Sequence, residues 1–155
     1  MPNQTYIQKK IDFFYEDLEL FKKENNIKRT IKIAVATKYF NSEQTQITSH
    51  HPNIDIIGEN RIQEAIKKHQ EKKQSENIQK HFFGHLQKNK IKPAIKHFDC
   101  IQSLDSLPLI EKINEECLKQ NTTIKGFLQL NCENNPNQYG FSKNEIEENL
   151  DTFFK

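Results

Sequence analysis

The sequence has few of the residues that mark several common protein classes. It holds four glycines, three cysteines, one methionine and no tryptophan in 155 residues. Neither G-x-G-x-x-G nor G-x-x-x-x-G-K-[ST] occurs, which argues against the usual nucleotide-binding loops. The cysteines form no C-x-x-C pair, and their odd, scattered arrangement indicates free thiols in a reducing compartment. We therefore expect a cytoplasmic protein.

Long apolar runs and a large net charge are also missing. No segment approaches the ~20 apolar residues of a membrane-spanning helix, and residues 1–14 lack the apolar core of a signal peptide. The formal net charge is +2, and Arg29 and Arg61 are the only arginines. A nucleic-acid site would combine arginines with stacking aromatic side chains. We interpret the basic run at 67–74 as a solvated helix face, and expect neither a membrane nor a nucleic-acid partner.

Helical and extended patterns alternate along the chain. Residues 4–24 show an apolar helical stripe, made of Ile7, Ile11, Phe14, Leu18 and Phe21. Five strands are predicted at about 31–37, 54–58, 81–84, 98–103 and 124–131, each followed by a helix. Cap residues mark the predicted helix starts: Asn41 or Ser42, Ser106, and the S-x-x-E box of Ser142 and Glu145. Strands that alternate with helices pair in parallel, either in an open doubly wound sheet or in part of a (β/α)8 barrel.

The first strand reads I-K-I-A-V-A-T-K from Ile31 to Lys38. Because side chains alternate between the faces of a strand, the odd positions form a bulky face suited to packing against helices. The even positions carry Lys32, Ala34, Ala36 and Lys38. This pattern predicts a small-residue face with open space and a lysine at its carboxyl end.

A lysine at such a position has a specific chemical use. Ligands of parallel α/β folds sit at the carboxyl ends of the strands, and a desolvated amine is a nucleophile toward aldehydes. The pattern alone leaves open the alternative that Lys38 is an ordinary solvated lysine. His81 and His85 do not have the spacing of a zinc helix and lack a ligand partner in sequence, so we expect no metal site.

Five segments carry a resemblance to a known family. They are AVATKYF, IIGENRIQEAIKK, HFFGHLQKNK, IQSLDS and LQLNCENNPNQYGF, in order between about residues 31 and 143. In these segments the chain resembles the YggS/PROSC family of pyridoxal phosphate homeostasis proteins. The resemblance implies a (β/α)8 barrel similar to the N-terminal domain of alanine racemase.

The resemblance also implies a cofactor and a set of residues. Family members bind pyridoxal 5′-phosphate as a Schiff base on a lysine at the end of the first barrel strand, which corresponds to Lys38. By the same resemblance, Asn60 in the GEN motif and His85 in the HLQ-x-N-K segment are expected on the cofactor side. The family is regarded as non-catalytic, so we expect cofactor buffering without turnover, and a monomer for the full-length protein.

The resemblance covers only part of the family's length. We expect a single barrel domain over 1–155 that is incomplete at its C-terminus, with an N-terminal helix at 1–27 and five βα units at 28–155. Family phosphate contacts come mostly from the part beyond, so weak retention of the cofactor is expected. Two alternatives stay open: an amino-acid racemase-type enzyme, and a remnant without cofactor function.

Overall fold

A computed structural model describes residues 4–153 of the chain. Its contacts divide the chain into two compact units that meet in sequence at Lys80 and His81. Each unit is described by itself.

The first unit contains two βα units preceded by a long helix. Its elements are α1 (Gln4–Glu24), β1 (Ala34–Ala36), α2 (Ser42–Ser49), β2 (Ile56–Glu59), α3 (Ile62–Glu71) and the start of β3 (Gln79–Phe82). β1 and β2 pair in parallel, with Ala34 opposite Ile56 and Ala36 opposite Gly58. The order of elements is the one predicted. β1 is shorter than the predicted strand at 31–37, because pairing with β2 begins only at Ala34 and ends at Ala36.

Isoleucines form the core of the first unit. A buried cluster contains Ile33, Ile54, Ile57 and Ile78, with side chains of α1 and Val35 packed against it. The predicted stripe of α1 is confirmed at its buried and packed positions Ile7, Ile11 and Leu18. It is wrong at Phe14 and Phe21, each 54% exposed. Tyr15 packs on the cluster instead, because the helix presents the stripe 11, 15, 18 rather than 11, 14, 18.

The start of α2 is fixed by a capping box. Asn41 accepts a 2.8 Å hydrogen bond from the backbone N–H of Gln44, and the Gln44 side chain accepts a 3.0 Å bond from the N–H of Asn41. Each bond satisfies a backbone donor that a helix start leaves without an intrahelical partner. Of the two predicted cap residues, Asn41 is therefore the N-cap.

The second unit continues the alternation. After β3 come a 3-10 turn at Lys88–Lys90, α4 (Ile91–His97), β4 (Cys100–Leu104), α5 (Leu107–Lys119), β5 (Lys125–Leu128), α6 (Lys143–Glu148) and α7 (Leu150–Phe153). β3 and β5 each pair in parallel with β4. The rings of Phe82 and Phe98 lie 5.4 Å apart in its buried interior.

Helix ends in this unit follow the sequence signals in part. Ser142 and Glu145 form the predicted capping box at α6. The single final helix that the pattern predicts is interrupted at Asn149, which ends α6 before α7 begins. Ser106 occupies the N-cap position of α5 but makes no side-chain cap bond; its hydroxyl donates to Asp105 Oδ1 at 3.1 Å instead.

The strand order separates the two predicted architectures. The five strands follow one another in the sheet in chain order, β1 to β5, and the described pairings are parallel. A doubly wound sheet reverses its order at a switch point, whereas a barrel winds in one direction. The fold is therefore α/β of the (β/α)8-barrel type, represented by five strands. Within residues 4–153, no helix is long and apolar enough to cross a membrane.

Candidate functional site

Lys38 follows the carboxyl end of β1 and is exposed. Its Nζ lies 5.0 Å from the centroid of the Tyr39 ring, which is itself 87% exposed. This is the geometry of a cation–π contact at the surface, a weak restraint on a long side chain. Within residues 4–153, the amine thus contacts its own neighbour in sequence, and it is accessible to a small molecule.

The two faces predicted for the first strand are present. On the bulky face, Ile33 and Thr37 are buried and Val35 packs on the isoleucine cluster. On the other face, Ala34 and Ala36 are both exposed. No large side chain of β1 therefore occupies the space beside the strand on the side that leads to Lys38.

Thr37, the residue before Lys38, belongs to a buried polar cluster. The Thr37 hydroxyl donates to Glu59 Oε1 at 2.7 Å, and the Nζ of Lys68 donates to Glu59 Oε1 at 2.9 Å and to the carbonyl of Thr37 at 2.8 Å. We call these three residues the Thr37 cluster. Their exposed fractions are 0% for Thr37, 1% for Glu59 and 8% for Lys68.

The sequence did not reveal this cluster. The interpretation of 67–74 as a solvated face is wrong at Lys68, because that side chain turns inward from α3 and pairs with Glu59 at the end of β2. Two charges removed from water require each other as partners, and the pair satisfies that requirement. The available signal was spacing: Ile62, Ala65 and Lys68 are the buried residues of α3, three positions apart.

Asn60 lies directly after β2 and is exposed. The parallel register sets Ala36 opposite Gly58, and the N–H of Thr37 donates to the carbonyl of Gly58 at 2.8 Å. Asn60 and Lys38 therefore each follow the carboxyl end of one of two paired strands, Asn60 in a bend and Lys38 in a turn. The neighbouring Arg61 is engaged elsewhere, since its guanidinium donates to Glu64 at 2.8 Å, and that bond raises the pKa of Arg61.

His85, in the second unit, is held by two other residues. Its Nδ1 lies 2.8 Å from Asp105 Oδ2, and its ring stacks on Tyr139 with centroids 3.8 Å apart and planes inclined by 13°. The carboxylate of Asp105 is 5% exposed and the His85 side chain 40%. A carboxylate that accepts from Nδ1–H fixes the imidazole orientation and directs Nε2 away from it. Lys38, Asn60 and His85 stay predictions as cofactor residues.

Other polar groups of the second unit have structural partners. The buried His81 contacts the amide of Gln102, with 2.7 Å between Nδ1 and Nε2, and Ser103 donates to the carbonyl of Gly84. Across residues 4–153, no group of three or more His, Cys, Asp or Glu side chains is arranged to hold a metal ion.

A cavity of about 450 Å³ lies in the first unit between α1, β1 and α2. Its lining is mainly apolar and includes Ala34 and Ala36 together with Phe14 and Phe40. Lys38 is not part of the lining. The cavity and the exposed amine are therefore separate features of this unit.

Comparison with known proteins gives relatives of one kind. No protein-family model matches the chain. The pyridoxal phosphate homeostasis protein of Haemophilus influenzae is 27% identical over 145 residues, which are 93% of this chain and 58% of that protein. The protein of the same name from Buchnera aphidicola subsp. Schizaphis graminum is 30% identical over 138 residues, 89% of this chain and 57% of the relative. The chain thus spans less than two thirds of these relatives.

Solved structures give the same picture. PipY of Synechococcus elongatus without PLP, the pyridoxal phosphate group, superposes with a TM-score of 0.69 at 27% identity, over 86% of this chain and 61% of PipY. PipY with PLP bound gives 0.67 at 26% identity, over 87% and 62%. A protein from Bifidobacterium adolescentis gives 0.73 at 22% identity, over 91% and 60%, and shows similarity of fold alone.

The parallel sheet wound in one direction and the exposed lysine after its first strand define a barrel-type α/β protein with a strand-end amine. The relatives and the PipY structures make the assignment specific. The chain belongs to the YggS/PROSC family of pyridoxal phosphate homeostasis proteins.

Proposed function

We propose that the chain binds pyridoxal 5′-phosphate through the side-chain amine of Lys38, in a cytoplasmic protein that maintains the supply of this cofactor. The observation that carries the proposal is the exposed amine at the carboxyl end of β1, beside a strand face made only of alanines. The names of the relatives and the PLP bound to PipY support the same cofactor. The three free cysteines suit a reducing compartment.

The residues present fit the cofactor. When bound, pyridoxal 5′-phosphate supplies an aldehyde carbon that condenses with a primary amine and releases water. Lys38 supplies that amine, and the exposed Ala34 and Ala36 leave room for a flat ring. Asn60 offers an amide with both donor and acceptor atoms on the neighbouring strand end. We assign His85 to the cofactor side as well, with Nε2 as the atom available for a contact.

We further propose that the protein holds the cofactor without turning over amino acids. Removal and return of an α-proton requires positioned acid and base groups. In the first unit, Glu59 at the end of β2 and Lys68 of α3 are a buried acid and base that are paired with each other. The hydroxyl of Tyr39 is a further proton donor beside Lys38, but this side chain is exposed to solvent.

Site-resolved trapping tests the binding proposal. The chain is mixed with pyridoxal 5′-phosphate, reduced with borohydride, digested and mapped by mass spectrometry. Lys32 provides the matched control, because it is an exposed lysine that precedes β1 on the same predicted face. We expect the modification to concentrate on Lys38, to disappear in Lys38→Ala, and to persist in Lys32→Ala.

Equal labelling of Lys38, Lys32 and other surface lysines would contradict the binding proposal and favour a chain without cofactor function. Turnover has its own test, the exchange of amino-acid α-protons in deuterated buffer with the cofactor present. We expect no exchange above that of free cofactor. Exchange that is lost in Lys38→Ala would establish a racemase-type enzyme instead.

A further inference from the structure

The backbone next to the proposed cofactor amine is held at three polar groups. The N–H of Thr37 donates to the carbonyl of Gly58 at 2.8 Å, its carbonyl accepts from Lys68 at 2.8 Å, and its hydroxyl donates to Glu59 at 2.7 Å. Every polar atom of Thr37 is therefore engaged by groups from β2 and α3, and its carbonyl also accepts from the N–H of Phe40 at 2.9 Å. The residue that precedes Lys38 has little freedom to rotate.

The Lys68 ammonium reaches this backbone from a buried position. A buried ion pair is often no more stabilising than apolar side chains of the same volume. A contribution to the stability of the fold is therefore a weak explanation for the pair of Glu59 and Lys68. Here the ammonium does something that an apolar side chain cannot do, because it donates to a carbonyl just beyond the last residue of β1. Because the carbonyl also accepts from the N–H of Phe40, loss of Lys68 would remove the one of its two donors that comes from α3.

Glu59 holds the arrangement together. Its Oε1 accepts from both the Thr37 hydroxyl and Lys68 Nζ, while its buried Oε2 has no hydrogen-bond partner among the described residues. Glu59 Oε1 thus accepts from both donors at the same time, and it links Thr37, which follows β1, to Lys68 of α3. Loss of either donor would release Thr37 from the cluster on one side.

We propose that Glu59 and Lys68 are positioning residues for Lys38. They fix the orientation of the Thr37 carbonyl. This carbonyl belongs to the peptide group that joins Thr37 to Lys38, so the cluster also orients the backbone that carries the Lys38 side chain. The inference rests on the proposed role of Lys38 as the amine that binds the aldehyde. Within residues 4–153, the Lys38 amine contacts the exposed Tyr39 ring, so we infer that the starting direction of its side chain depends on the backbone that the cluster holds.

The test measures labelling of Lys38 relative to Lys32 in the same molecules, by the borohydride trapping described above. Lys68→Met removes the donor, and Lys68→Arg keeps a charged donor for both Glu59 and Thr37. The double variant Glu59→Gln, Lys68→Met removes both charges and leaves no unpaired ion. Circular dichroism verifies that each variant is folded under the labelling conditions.

If the cluster positions Lys38, the labelling ratio falls about tenfold in the folded Lys68→Met and double variants, because misorientation of a reacting group slows condensation. Lys68→Arg retains most of the ratio, because it keeps a charged donor for Glu59 and the Thr37 carbonyl. Since the variants compared are folded, a merely structural role of the pair would leave the ratio unchanged in all of them. Labelling of Lys32 stays constant throughout. Thr37→Val, which removes only the hydroxyl tie, gives a smaller fall of about threefold and serves if the other variants do not fold.

The proposal is overturned if the folded double variant, or Thr37→Val where that variant does not fold, keeps the wild-type ratio. It is also overturned if Lys68→Arg loses as much as Lys68→Met. A wild-type protein without preference for Lys38 contradicts the proposed function itself, so the two failures are distinguishable.

Discussion

Ile33 and Asp55 form a reciprocal pair at the start of the first two strands. The N–H of Ile33 donates to Asp55 Oδ2 at 2.8 Å, and the N–H of Asp55 donates to the carbonyl of Ile33 at 3.1 Å. The aspartate side chain thus extends the ladder between β1 and β2 at its start, before the first paired residues, Ala34 and Ile56. This contact anchors the strand that leads to Lys38.

Asp55→Ala should lower the free energy of unfolding by about 1–2 kcal/mol, because a partly buried N–H loses an acceptor. Asp55→Asn keeps a side-chain oxygen and should cost less. Urea denaturation followed by circular dichroism measures both. Equal stability of Asp55→Ala and the wild type would show that the side-chain bond contributes nothing to β1.

The capping box of α6 should make that helix sensitive to acid. Hydrogen bonds from the backbone N–H and hydroxyl of Ser142 hold the pKa of Glu145 below its ordinary value. A lowered pKa in the folded state means that the stabilisation is present above the unfolded value of about 4.3 and is lost as the pH falls through the folded value. An NMR titration should therefore show Glu145 ionised below that pH.

Ser142→Ala removes one of the two donors and should move the Glu145 titration upward toward its ordinary range. It should also cost about 1 kcal/mol through loss of the N-cap. Asn144→Ala, an exposed change in the same helix, is the control. A Glu145 titration that is the same in Ser142→Ala and the wild type would contradict the capping account.

The three thiols should differ in reactivity. Cys100 and Cys117 are buried, and burial raises the pKa of each thiol. Cys132 is exposed. Because the thiolate is the reactive form, a thiol reagent at neutral pH should modify Cys132 at least about tenfold faster than the other two.

Denaturation should make all three thiols react at similar rates, and Cys132→Ser should remove the fast phase in the native protein. Rapid modification of Cys100 or Cys117 under native conditions would show that the second unit opens far more often than its packing indicates.

The contact between His85 and Asp105 predicts a defined tautomer. When neutral, His85 should carry its proton on Nδ1, since that atom faces Asp105 Oδ2. Nitrogen-15 NMR distinguishes the two tautomers directly. Asp105→Ala should shift His85 toward the tautomer protonated on Nε2; an unchanged spectrum would mean that the aspartate does not orient the ring.

Local patterns were sufficient to predict most of the fold. Alternating apolar periodicity gave the order of helices and strands. The rules for helix starts gave the capping box at Ser142 and two candidate cap residues for α2, of which Asn41 is the N-cap. The two faces of the first strand followed from residue size alone. These features depend on neighbours in sequence, which a single sequence displays.

Contacts between distant residues could not be predicted in this way. Lys68 lies in a run of charges, and only the packing of α3 beneath the strand ends turns it inward to Glu59 and Thr37. The stacking of Tyr139 on His85 brings together residues that are 54 positions apart in the sequence. No periodicity connects such residues, because their proximity is created by tertiary structure.

The most direct test of the central claim is a crystal structure of the chain after incubation with pyridoxal 5′-phosphate and reduction with borohydride. The account predicts continuous electron density from Lys38 Nζ to the pyridoxal group, beside Ala34 and Ala36. A free Lys38 side chain, with the group attached to Lys32 or to another surface lysine, would contradict it.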